Sequence, residues 1–178
     1  MKKSEYTKKD VMACIGEFIN PVFFKWLVVN GFFTAPASTK YHGAYEGGLC
    51  DHSVEVAISL VKLTNDNGLV WEQARSPYII GMFHDLCKID SYKKVTDLGA
   101  IWFTYNDNTL LPGHGEKSVQ LLAQHIQLTE EELLCIRWHM GAFDAKENWQ
   151  YYDRAIRKYP NVLWTHTADM IASKIVGV

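Results

Sequence analysis

Much is missing from this 178-residue chain, and each absence narrows what it can be. No stretch approaches the ~18 consecutive apolar residues of a membrane span, so no membrane association is expected. There is no long basic run, and the formal net charge is -2. A protein that grips duplex nucleic acid by its phosphates needs a basic surface, so stable duplex binding is not expected. Cysteine is scarce: Cys14, Cys50, Cys87 and Cys135 form no C-x-x-C pair. They read as reduced, buried thiols of a cytoplasmic protein. The first residues lead into polar sequence rather than an apolar run, so no signal peptide is expected. Internal repeats, linkers and low-complexity tracts are also lacking.

What remains is a folded chain. Hydrophobic residues make up 48% and charged residues 21%, which separates it from disordered sequences. The length suits one domain over residues 1–178, with 1–35 as a helical extension packed on the core. Six tryptophans, nine tyrosines and eight phenylalanines imply a packed interior or an aromatic-walled pocket. The aromatics of the first 35 residues suit either closure of the core or a homodimer interface.

The periodicity is that of an all-α protein. Helices are expected over Tyr6–Ile19, from Pro21 to about Asn30, over Leu49–Leu63 and over Tyr78–Ile89, the last opened by Ser76-Pro77. Three more follow: Glu116–His125, a helix begun by the capping box Thr129-x-x-Glu132, and Trp149–Lys158. A final helix starts at Pro160. Between Asp90 and Gly115 the pattern is irregular, and a small β-hairpin flap is expected around residues 95–110.

The chemistry gathers around Gly81-Met82-Phe83-His84-Asp85-Leu86-Cys87-Lys88. A His-Asp pair alone means little. Here it is joined by His52, His114, His139 and Asp169, at steps of about thirty residues or slightly fewer, two helices' worth of chain. Imidazole nitrogen and carboxylate oxygen suit hard or borderline divalent ions. Four histidines and two aspartates can hold two of them, with Asp85 as the bridge. Such a pair lowers the pKa of a shared water and neutralises charge on phosphate oxygens. On a helix, His84 and Asp85 project about 100 degrees apart, so one ion can take both only over the helix shoulder. Lys88, one turn after His84, is the candidate phosphate contact. His42, just before the glycine-rich Gly43-Ala44-Tyr45-Glu46-Gly47-Gly48, is a candidate substrate contact.

These residues resemble the HD superfamily of metal-dependent phosphohydrolases. Gly47-Gly48-Leu49-Cys50-Asp51-His52 is similar to its opening motif, and Phe83-His84-Asp85-Leu86-Cys87-Lys88 to its central one. His166-Thr167-Ala168-Asp169 is similar to its closing motif. His114 and His139 fall where two-metal branches place extra histidines. The likeness covers roughly residues 36–176. It is nearest to the HD domain of YhaM-type 3'-5' exoribonucleases, without their OB domain. The resemblance implies an HD-domain helical bundle that hydrolyses a phosphoester in a nucleotide or short single-stranded oligonucleotide. His52, His84, Asp85 and Asp169 would hold one metal, and Asp85, His114 and His139 a second. Lys88, with Lys117 or Arg137, would steady phosphoryl oxygens, and Tyr45 or Phe143 would stack on a base. Manganese, iron, zinc, nickel, cobalt and magnesium all remain open. The alternatives are a single-metal nucleotidase on (deoxy)nucleotides, a di-iron oxygenase and a nucleotide-binding module without turnover.

Overall fold

The computed structural model describes residues 4–178. It is a bundle of α-helices with one two-stranded antiparallel hairpin. Helix α1 (Lys8–Ile15) opens on a capping box between Thr7 and Asp10, and α2 (Pro21–Val29) on Asn20, whose Oδ1 accepts from the Phe23 N–H at 2.8 Å. The longest helix, α3 (Gly48–Asn67), is buried along most of its first three turns and forms the axis of the molecule. Helix α4 (Ser76–Phe83) lies along it. A short 3-10 turn (Leu86–Ile89), the hairpin β1 (Tyr92–Asp97) and β2 (Ala100–Tyr105), and α5 (Gly115–Leu122) follow. Then come α6 (Glu130–Trp138), α7 (Trp149–Lys158) and α8 (Asn161–Met170), which runs on as a π-helical turn over Ile171–Val176.

Close packing of α3 on α4 depends on Gly81. A Cβ there would sit 2.4 Å from the Ala57 Cα, so only glycine lets the backbones approach this closely. The aromatics of the first segments close the core: Phe23 and Phe32 are buried, and Phe23 packs on Phe83 at 5.2 Å between ring centroids. The helix starts are fixed by buried carboxylates. Glu132 accepts from Ser76 Oγ, Arg75 Nε and its own cap's Thr129 N–H. Glu131 accepts from the Glu72 N–H and Asn161 Nδ2. Two acids on α6 thereby set the starts of α4, α6 and α8 against one another.

Helix α1 stops at Ile15 rather than Ile19, α3 runs on to Asn67 rather than Leu63, and two further expectations shift. The hairpin spans 92–105 rather than 95–110, because its two-residue loop is Leu98-Gly99; the turn at Asn106-Asp107-Asn108 follows β2. Both turn residues have positive φ, 46° and 83°, which matches the twist of a two-residue hairpin. Helix α4 also stops at Phe83 instead of Ile89. Asp85 leaves helical geometry (φ -104°, ψ 20°), and the Cys87 N–H donates to Ser118 Oγ at 3.1 Å in place of a helical carbonyl. No described helix is long and apolar enough to cross a membrane.

Candidate metal centre

The break after Phe83 decides the geometry of the His-Asp pair. With the helix continued, the two side chains would diverge. With it broken, His84 Nε2 lies 3.4 Å from Asp85 Oδ2 and both face one centre. His52 arrives from α3, His114 from the N-terminus of α5, His139 from the C-terminus of α6 and Asp169 from the last turn of α8. Gly115 permits the approach that delivers His114, since a Cβ there would lie 2.2 Å from the Arg137 carbonyl oxygen.

Asp85 is the hub. His52 Nε2 and His84 Nε2 lie 3.5 and 3.4 Å from its Oδ2, and Lys88 Nζ lies 2.5 Å from the same oxygen. His139 Nε2 and His114 Nε2 lie 3.4 and 2.6 Å from Oδ1. On the far side, His52 Nε2 stands 3.2 Å from His84 Nε2 and 3.2 Å from Asp169 Oδ1. Three overlapping sets of donors lie within 4.8 Å of one another: His52, His84 and Asp169; His84, Asp85 and His139; Asp85, Cys87 and His114.

The tautomers follow from the outer partners. Nδ1 of His52, His84 and His139 faces the backbone carbonyls of Val178, Gly81 and Ile136 at 2.9, 2.9 and 2.7 Å. A carbonyl only accepts, so each Nδ1 carries the proton and donates it. Nε2, with its lone pair, is aimed inward. The His139 Nε2 is buried and makes no hydrogen bond, the Asp85 contact being too poorly aligned to count as one. Lone pairs and carboxylates turned toward one another repel unless a cation lies among them. Donors each held about 2.1 Å from one ion are about 3.0–3.5 Å apart, the spacing found between most of these atoms. The donor set therefore fits divalent metal, as one ion or as two sharing Asp85.

The protonation states reflect the same charges. Burial alone would raise the Asp85 carboxyl, but Lys88, His84 and His114 hold it well below the usual carboxylate range. Asp169 is likewise lowered against burial by the neighbouring His52 and His84. Burial pushes His139 down, favouring the neutral ring a ligand needs. For His114, burial is outweighed by the Asp85 carboxylate, which carries the imidazole up to about 10. Burial is likewise outweighed by Asp85 for Lys88, which is raised and stays an ammonium.

The centre forms the floor of a cleft of about 390 Å³. His42, Lys88 and Phe143 line it. Among the described residues neither ring nitrogen of His42 has a hydrogen-bond partner, the ring lies 4.8 Å from that of His52, and burial lowers it to about 4. Three other sequence-derived candidates point elsewhere. The Tyr45 hydroxyl donates to Asp51 Oδ2 at 2.7 Å, the carboxylate that also ties down residues 4–6. Lys117 is buried against Asp90. Arg137 pairs with Glu116 and Asp144 and lies over the Trp138 ring. Each of the three meets an acid in the fold, and none of them lines the cleft.

The cleft also has walls that sequence reasoning missed. Tyr92 and Tyr105, a cross-strand pair at the open end of the hairpin, line it together with Tyr41, Lys174 and His166. His166 donates Nδ1–H to the His139 carbonyl at 2.7 Å and so steadies the C-terminal end of α6. Cys87, read as an inert thiol, lies 3.6 Å from His114 Nδ1.

Comparison with protein-family models, curated proteins and solved structures gave no match.

Proposed function

We propose that this chain is a metal-dependent phosphohydrolase of the HD type, with two divalent ions held across Asp85. The observation that carries the reading is the position of Asp85: four imidazole Nε2 atoms and one ammonium converge on its two oxygens. His52, His84, Asp85 and Asp169 would hold one ion, and Asp85, His114 and His139 the other. When bound, the ions supply an acidified water and neutralise charge on phosphate oxygens.

The chain's own residues supply the rest. Lys88 keeps its proton and stands beside Asp85, where it can hold a phosphoryl oxygen. His42 offers neutral, unpartnered nitrogens from the cleft wall. Phe143, 70% exposed, and Tyr105, 68% exposed, offer open aromatic faces at the rim. Flat faces above a phosphate site suit a nucleotide or the end of a short single-stranded oligonucleotide.

The exposure of the His114 side chain, 36%, favours a second reading. In it, one tightly held ion sits at His52, His84 and Asp169, and His114 touches substrate as in a nucleotidase.

Replacing Asp85 with alanine tests the main reading. The expected outcome is loss of turnover of mono- and dinucleotide substrates together with loss of bound metal. Retained activity at full metal content would sink the assignment.

A further inference from the structure

Three of the four histidines around Asp85 have Nδ1 anchored on a backbone carbonyl, and His114 does not. Its Nδ1 faces the sulfur of Cys87 at 3.6 Å, while Nε2, across the ring, meets Asp85 Oδ1 at 2.6 Å. Cys87 is 1% exposed and rigidly held. Its N–H donates to Ser118 Oγ at 3.1 Å, and its carbonyl accepts from Ser91 Oγ at 2.7 Å. Ser118 belongs to the first turn of α5, and its N–H donates to the His114 carbonyl at 3.1 Å. One serine thus fixes both the sulfur and the backbone of the histidine it faces.

We propose that Cys87 is a positioning residue: its sulfur accepts the His114 Nδ1–H, and so sets the ring to present Nε2 at Asp85, without itself binding metal. The inference rests on the metal-centre reading above. Direct ligation is the rival arrangement, since the sulfur, an Asp85 oxygen and a ring nitrogen of His114 lie within 4.8 Å. The ring decides between them. The two nitrogens of an imidazole point away from each other, so an ion bound at Nε2 beside Asp85 lies across the ring from the sulfur. Thiol sulfur is also a weak acceptor compared with a carbonyl. His114 is therefore the least firmly oriented of the four, and an ion that depends on it binds more weakly than one held by His52, His84 and Asp169.

The test is calorimetric titration of metal-free protein with Co²⁺, recording the absorption spectrum, for the unchanged chain, Cys87→Ala and Cys87→Ser. The expected result is two binding events. Cys87→Ala weakens the weaker by about 10–100-fold and leaves the tighter in place. Cys87→Ser recovers part of the loss, because a hydroxyl also accepts, and no sulfur-to-cobalt charge-transfer band is seen. Unchanged binding of the weaker ion in both variants would overturn the proposal. So would a sulfur-to-cobalt band that both variants abolish, which would make Cys87 a ligand. An unchanged chain that binds no cobalt at all defeats the metal-centre reading, and this inference with it. If Cys87→Ala does not fold, as judged by its circular dichroism melt, Cys87→Ser alone decides: a weaker second event supports positioning and an unchanged one refutes it.

Discussion

Lys88 and Asp85 form the closest cation–carboxylate contact at the centre, and their separation in function is testable at the level of one side chain. Lys88 Nζ lies 2.5 Å from Asp85 Oδ2 and is nearly buried, yet it is not a donor that a divalent ion can use. Its charge acts on Asp85 and, in the proposed reading, would act on a substrate phosphate. Lys88→Ala should therefore lower turnover by about 10²–10³-fold, the usual cost of removing one stabilising donor, with metal content unchanged. Parallel loss of metal would assign Lys88 a structural role instead. The residues of the centre were largely legible in the sequence, because a buried carboxylate beside histidines in apolar segments has few inexpensive uses. Tyr45, Lys117 and Arg137 were expected at the substrate, and the fold brings an acid to each. Asp90 and Glu116 lie far in sequence from Lys117 and Arg137, and nothing in the spacing of Tyr45 and Asp51 or of Arg137 and Asp144 marks them as pairs.

Among the elements, the junction of α4 and the 3-10 turn matters most. The apolar period through Ile80, His84 and Cys87 reads as continuous helix, and no glycine or proline marks a stop. The stop comes from tertiary structure: Ser118 on α5 takes the Cys87 N–H. The hairpin lies earlier for a local reason, as Leu98-Gly99 supplies its two positive-φ loop residues and the polar turn at Asp107-Asn108 comes only after β2. By contrast, the capping box at Thr129 and the bounds of α7 were readable, since both rest on signals within one helix. Gly81 tests the packing that brings His84 to His52. Gly81→Ala forces a Cβ against the Ala57 backbone and should cost about 1–3 kcal/mol by overpacking. A denaturant midpoint equal to that of the unchanged chain would show that α3 and α4 are free to separate. Glu132→Ala should cost about 3 kcal/mol, because Ser76 Oγ, the Thr129 N–H and the Arg75 guanidinium lose their acceptor together.

Over the whole molecule, the donors come from α3, the α4 junction, α5, α6 and α8, so metal bound among them would cross-link most of the bundle. Binding to the folded chain alone makes the ion's affinity part of the folding free energy. At about 100-fold excess over Kd the gain is about 2.7 kcal/mol. For a chain of this size that is a rise in Tm on the order of 5–10 °C, reversed by chelator and abolished in Asp85→Ala. The fold itself is arranged around the centre: α3 is buried through the turns that carry His52, and the carboxylates of α6 fix the elements that bring His139 and Asp169 to it.

The most direct test of the central claim is the metal content of protein purified without chelator or metal-affinity resin, counted by mass spectrometry per chain and repeated on Asp85→Ala. The dinuclear account predicts about two divalent ions per chain, both lost when the shared carboxylate is removed. No ion in the purified protein, and none taken up after manganese, iron or zinc is restored, would contradict it.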